Sequence, residues 1–334
     1  MLDDRKAAIL GALVEEHIRS GEPVSSNAIL RRARLDCSAA TVRNEMTHLE
    51  REGFAVKPHT SAGRIPTEAG YRYYVDHLSP GALRSTTRTR IDDFFASMHV
   101  ELSRLLRQTS DFLAEISHYP SVVLGPGLVG HTIRDLHLIP VEPGVVLVVL
   151  VTDGGRVSQS LIRLSEPATH DEVAHAQVVL GELLSGTTVS TETVELGDDT
   201  EDELPTIAVE VAKRALTRVV EFSRASREVY LGGTSHMVEL WEDLAKLHRV
   251  LALVEREASL FDLLGVDGEP GTTVRLGREI QAGEEDLAVV SKDFGVEGSG
   301  GRVGLLGPIR MDYRRAIRVV DEVGEALDDS LGGG

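Results

Sequence analysis

Apolar positions recur at helical spacing through the first eighty residues and at strand spacing further on. Ile9, Leu13 and Ile18 share one face of a segment that Asp3 or Asp4 can cap and that ends near Gly21. PVSSNAILRRARLD opens on two further capping residues, Ser25 and Ser26, and predicts a short second helix. Ser38 caps a third, SAATVRNEMTHLERE, which Gly53 stops. Its apolar stripe is Val42, Met46 and Leu49, and the opposite face carries Ala40, Arg43, Asn44, Thr47 and Arg51. FAVKPHTSAGRIPT then alternates apolar and polar residues around a turn-rich tip, the pattern of a hairpin. Thr67 caps a fourth helix, EAGYRYYVDHL, whose Tyr71, Tyr74, Val75 and Leu78 are spaced to pack back on the others.

Beyond residue 78 the pattern loosens. SPGALRSTTRTR, residues 79–90, is polar and turn-rich and is the expected linker, followed by a long amphipathic helix over 91–117. Strand-like segments at 132–140, 145–152 and 157–164 are joined by Glu142-Pro143-Gly144 and Asp153-Gly154-Gly155 into a meander. Helical stretches at 170–184 and 204–223 flank the acidic run DDTEDE. Further helices fall within 236–264, strands near 273–277, 287–292 and 302–306, and a last helix over 313–327 with Ile317, Val320 and Val323 as its seam. A sheet interrupted by helices and then resumed suggests an inserted domain, and the whole reads as an α+β multidomain chain. At 334 residues it is too long for one ordinary core.

Charge at first argues against a nucleic-acid partner, since the formal net charge is −18. The excess is not spread evenly: residues 1–78 hold 11 basic and 11 acidic residues, and residues 79–334 hold 24 and 42. A neutral head on an acidic body binds phosphate locally while the body repels it, which suits a sequence-specific reader better than a packaging protein. One cysteine, Cys37, excludes an internal disulfide and fits a reducing compartment. The longest strongly apolar run, Gly144 to Val151, is too short to span a bilayer, and MLDDRKAAIL has no leader-like apolar core. The expectation is a cytoplasmic protein that does not engage membrane.

The outward face of the third helix carries groups that can read base edges: Arg43 for guanine, Asn44 for adenine, Thr47 or Ala40 for a thymine methyl. With Ser38, Thr41 and Arg51 at its ends, Thr60 and Ser61 on the hairpin, and the hairpin cations Lys57, His59 and Arg64 placed to touch backbone phosphate or enter the minor groove, these residues form the expected DNA-binding set. Arg43 and Asn44 should set sequence preference, and Arg51, Lys57 and Arg64 affinity and salt dependence. GPGLVG at 125–130 has the spacing of a dinucleotide loop but is followed by a strand where the motif needs a helix. GSGGRVG at 298–304 lacks the Lys-Ser/Thr of a phosphate loop, DDTEDE lacks the glycine and terminal Glu of a calcium loop, and the twelve histidines show no zinc spacing. No cofactor, metal or catalytic cluster is expected, and the chain is not read as an enzyme.

PVSSNAI, CSAATVRNEMTHLEREGF and KPHTSAGRIPTEAGYRYYVD, together with YLGGTSHMVEL and GRVGLLGPIRMDYRRAI near the other end, resemble the HrcA family of bacterial heat-inducible transcription repressors. LGREI, Leu276 to Ile280, departs from that family's glycine-glutamate-asparagine pattern. The resemblance implies a winged helix-turn-helix over 1–78, a GAF-like α/β sandwich domain over 91–165 and 228–334, and an inserted dimerisation domain over 166–227. It further implies a homodimer on an inverted-repeat operator upstream of chaperone operons, with the chaperonin as the partner that keeps the repressor active. The competing expectation is a GAF-type regulator answering to a small molecule, which would need a roomy apolar pocket with convergent polar groups.

Overall fold

The computed structural model describes residues 2–33, 37–59, 63–79, 81–98, 102–128, 131–153, 155–190, 196–197, 204–225, 227–241, 243–265, 270–280, 285–295 and 300–332. It divides into two compact units. The first comprises Met1–Leu124, Val229–Phe294 and Arg302–Gly334, and the second Gly125–Glu228 with Gly295–Gly301.

The first unit opens with α1 (Asp4–Ser20), α2 (Ser26–Ala33) and α3 (Ala39–Arg51), then the two-residue strands β1 (Ala55–Val56) and β2 (Ile65–Pro66), then α4 (Glu68–Asp76). The caps are those the sequence offers: Asp3, Ser38 and Thr67 each accept a backbone N–H three residues on. Gly21 ends α1 in the left-handed conformation, at φ +70°. Ile9, Leu13, Val42, Met46, Leu49 and Tyr71 are buried together, so the apolar stripes of α1, α3 and α4 face one core.

Helices α5 (Ser85–Ala96) and α6 (Leu102–Ser117) follow. The expected linker is therefore half helix, with Ile91 buried in the same core, and the single helix expected over 91–117 is broken after Ala96. No division falls at 79–90; the first 78 residues belong to one compact unit with the rest of its core. That unit is completed by β3 (Ser121–Leu124), β7 (Val229–Gly232), β8 (Thr273–Leu276), β9 (Leu287–Phe294) and β10 (Gly301–Pro308) in one sheet of order β7-β3-β10-β9-β8. Val123, Val290, Val303 and Leu305 bury one face with α6 and the last helix of the chain, Tyr313–Gly332. Val122, Leu124, Val289 and Leu306 bury the other against helices Met237–Leu240, Leu244–Val254 and Glu257–Leu264. β3 was not expected because all four of its residues are buried and it shows no alternation; β7, at the sheet edge, does alternate, with Tyr230 and Gly232 buried and Leu231 exposed, but is only four residues long.

The second unit holds the meander β4 (Ile133–Glu142), β5 (Val145–Thr152) and β6 (Val157–Arg163), with α7 (His170–Leu184) and α8 (Thr206–Ala225). These strands form their own sheet of order β4-β5-β6, separate from the five-stranded one. Val146, Val148 and Leu150 share a core with Ala176, Leu180, Val211 and Leu216 of the two helices. The boundary expected at residue 166 therefore moves back to 125: the meander packs on the helices that follow it and not on the other sheet. DDTEDE lies outside the described residues.

The opposite face of the meander is also apolar. Val145, Leu147, Val149 and Val151 of β5 alternate with its buried residues and are half-exposed. Leu147 pairs in register with Ile139 and Leu161, and Val151 with Val157. Ile139, Val141, Val157 and Leu161 are 47–60% exposed, unusual for a contiguous branched-chain surface.

Candidate nucleic-acid interface

Helix α3 presents two unlike sides. Val42, Met46 and Leu49 anchor one, while Ala40, Arg43, Asn44 and Arg51 are exposed on the other and Thr47 is half-exposed between them. Its 13 residues make a rod of about 20 Å, long enough to lie across a major groove about 12 Å wide. Ser38 and Thr41 are committed to the N-cap: Ser38 Oγ accepts the Thr41 N–H at 3.1 Å and lies 3.0 Å from Thr41 Oγ1. They frame the start of the helix, where free N–H groups favour a phosphate.

The hairpin after α3 pairs Ala55 with Pro66 and Val56 with Ile65, antiparallel. A third segment joins it, because Val24 and Arg64 exchange both backbone hydrogen bonds, at 2.8 and 3.0 Å. Gly63 permits this approach: a Cβ there would lie 2.2 Å from the Val24 carbonyl oxygen. Lys57 is half-buried and His59 exposed on the outgoing limb. Thr60 and Ser61 lie outside the described residues.

Arg64 is placed differently from the sequence expectation. Its side chain is only 13% exposed and turns inward, donating from Nε and Nη2 to Glu50 Oε2 at 3.1 and 2.8 Å. Nη2 also reaches Thr47 Oγ1 at 3.4 Å, and that hydroxyl donates to the Arg43 carbonyl at 3.0 Å. Arg64 thus braces the hairpin against α3. The reason is non-local: Glu50 sits one turn beyond Thr47, and the Val24 pairing turns residue 64 toward it. Glu50 is the partner that composition reasoning passed over, and His48 is a further exposed side chain on α3, four residues after Asn44.

The cations sort into two groups. Lys6, Arg19, Arg32, Arg64 and Arg72 are in ion pairs with nearby carboxylates. Arg5, Arg31, Arg43, Arg51 and Lys57 have no ion pair among the described residues, and of these Arg43 and Arg51 are exposed on α3. Among the described residues, no group of three His, Cys, Asp or Glu side chains could hold a metal ion, and no helix is long and apolar enough to cross a membrane.

A family model described as HrcA protein C terminal domain matches residues 103–317. The heat-inducible transcription repressor HrcA of Halalkalibacterium halodurans is 34% identical, over 99% of this chain and 98% of its own. That of Frankia casuarinae is 35% identical over 99% of each. A crystal structure of a hypothetical protein covers 100% of this chain and 99% of its own, with a TM-score of 0.64 at 26% identity. The helix with an exposed Arg-Asn face and the full-length likeness lead to one statement: the chain belongs to the HrcA family of heat-inducible transcription repressors.

Proposed function

We propose that residues 1–78 act as a winged helix-turn-helix that reads one half of an inverted repeat, and that two copies of the chain bind the whole repeat as a homodimer. The observation that carries the reading is the exposed row Ala40, Arg43, Asn44 and Arg51, with Thr47 half-exposed among them, on a helix whose other side is buried in the core. Arg43 and Asn44 reach base edges, Arg51 and Lys57 contact the flanking phosphates, and His59 at the hairpin tip touches the backbone beside them. Ser38 and Thr41 present the helix start to a phosphate. Arg64 contributes by holding the wing in place.

The second unit serves as the dimerising insert. Its open sheet face, with Ile139, Leu147, Val149, Val151, Val157 and Leu161, is a surface whose burial against a copy of itself removes apolar area from water on both sides. The resulting two-fold protein calls for a two-fold operator, with half-sites separated by whole helical turns. The remaining sheet of the first unit is the GAF-like domain. In line with the family likeness, the regulated operons are those of chaperones, the site of action is the cytoplasm, and the chaperonin is the partner that keeps the repressor active.

The test is binding to an inverted-repeat duplex, a single half-site and a scrambled duplex at two salt concentrations, with and without chaperonin. Tight binding confined to the full repeat supports the reading. Equal, strongly salt-dependent binding to all three, unchanged by chaperonin, overturns it and favours the small-molecule alternative.

A further inference from the structure

Helix α4 faces two ways. Tyr71, Tyr74 and Val75 point into the core, and Glu68 and Arg72 meet the segment after the edge strand β8. Arg72 Nη1 donates to the Val274 carbonyl at 2.8 Å and to Glu279 Oε2 at 3.1 Å, and Arg72 Nε donates to Asp76 at 2.9 Å. Glu68 Oε1 accepts the Arg278 backbone N–H at 3.1 Å. The segment that receives them is braced on itself, since Glu279 Oε2 also accepts the Leu276 N–H at 2.9 Å. At Gly277, φ is +43° and a Cβ would lie 2.9 Å from the Glu285 carbonyl oxygen and 2.8 Å from Glu68 Oε2, so a side chain there would be strained and would displace the Glu68 carboxylate. This is the LGREI stretch that departs from the family pattern.

A second anchor lies at the first turn of the last helix. Arg314 donates from Nη2 to Glu15 Oε1 at 3.0 Å, from Nη1 to the Ser79 carbonyl at 3.2 Å and from Nε to Tyr74 Oη at 3.3 Å. Between the two anchors, Tyr71 and Tyr313 pack with ring centroids 6.3 Å apart, both buried. Two polar anchors thus flank a packed aromatic pair where α1 and α4 meet the rest of the unit. The joint uses α1 and α4 and leaves the outward row of α3 open.

We propose that this joint is a register device, with Arg72 and Arg314 as positioning residues that orient the reading helix on the five-stranded sheet and so narrow the range of half-site spacings the repressor accepts. The inference rests on the dimeric reading above. The ion pairs are partly exposed (Arg72 28%, Glu279 37%, Arg314 47%, Glu15 26%), so they add little to stability. Their contribution is directional. A rigid second head meets its half-site only at the matching spacing, whereas a loosely tethered one searches many spacings at a lower effective concentration.

The experiment compares the full-length wild-type chain with R72E/R314E, which sets like charges beside Glu279 and Glu15. Binding is measured to a single half-site and to inverted repeats whose spacer is lengthened by about half a turn and one whole turn, roughly 5 and 10 base pairs. The wild type should prefer its own spacing over the half-turn insertion by ~10-fold or more, as expected for a rigid pair of heads. The variant should keep its half-site affinity and lose most of that discrimination, whereas R72K/R314K, which keeps both charges, should retain it. Where the reversed pair also lowers half-site binding, R72Q/R314Q is read in the same way. A variant that binds the half-site normally and still discriminates spacing as the wild type does overturns the register device alone. A wild type that binds half-site and full repeat equally overturns the dimeric reading, and the device with it.

Discussion

Replacing Arg64 by alanine separates two roles that a basic residue on a wing can play. If Arg64 contacts phosphate, its loss leaves the fold intact and reduces the salt dependence of DNA binding by about one ion. The structure gives it the other role, with two donors on Glu50 and a side chain 13% exposed. Hydrogen bonds to charged groups contribute ~1.5–3 kcal/mol when buried, and exposed ion pairs ~0.2–1 kcal/mol. Glu50 is 35% exposed, which places the pair between those limits, at about 1 kcal/mol after solvent screening. For a unit of this size that is a fall in Tm of ~2–4 °C. Thermal unfolding of wild type, Arg64→Ala, Glu50→Ala and the double variant should give a coupling energy of about 1 kcal/mol. The slope of log affinity against log salt should stay unchanged in Arg64→Ala. No coupling with Glu50, together with a slope reduced by one, would refute the brace and restore the phosphate contact.

Arg43→Ala should weaken operator binding by about 1–3 kcal/mol and relax preference at one base pair per half-site; an equal loss on scrambled DNA would remove Arg43 from base reading. His17 lies with Nδ1 2.7 Å from Tyr71 Oη, and burial, then the Arg310 charge, holds its pKa below the ordinary histidine value. Its folded pKa is thus depressed, so its contribution to stability is present above about pH 6.5 and is lost as pH falls through the folded value. Tm should therefore drop more steeply on acidification in the wild type than in His17→Gln, and parallel curves would contradict this. Leu147→Lys, in the middle of the open sheet face, should convert the dimer to monomer by sedimentation while leaving half-site binding intact; an unchanged mass would place the seam elsewhere. Gly63→Ala forces a Cβ against the Val24 carbonyl and should cost about 1–3 kcal/mol of thermal stability, with an unshifted Tm as the contrary result.

The local parts of the reading head were legible because their causes are local. Asp3, Ser38 and Thr67 cap the helices they precede, and the spacing of Val42, Met46 and Leu49 turns one side of α3 to the core and Arg43 and Asn44 outward. These depend on neighbours three or four residues away, and a chain segment carries that information itself. The full-length family likeness was legible for the same reason, since it rests on contiguous strings.

Pairings between distant segments were not legible. β3 is buried on both faces, so no alternation announced it, and β7 is an edge strand of four residues, too short for its alternation to stand out. The meander 133–163 carried a clear strand pattern, yet only packing showed that its partners are α7 and α8 and not the other sheet. Arg64 carries the right charge for a phosphate contact, but Glu50 and the Val24 bridge lie 14 and 40 residues away along the chain. Residue type and period fix what a segment can form and which side is apolar. Which carboxylate meets which guanidinium, and which sheet a strand joins, depends on where the chain returns in space, and tertiary packing alone supplies that.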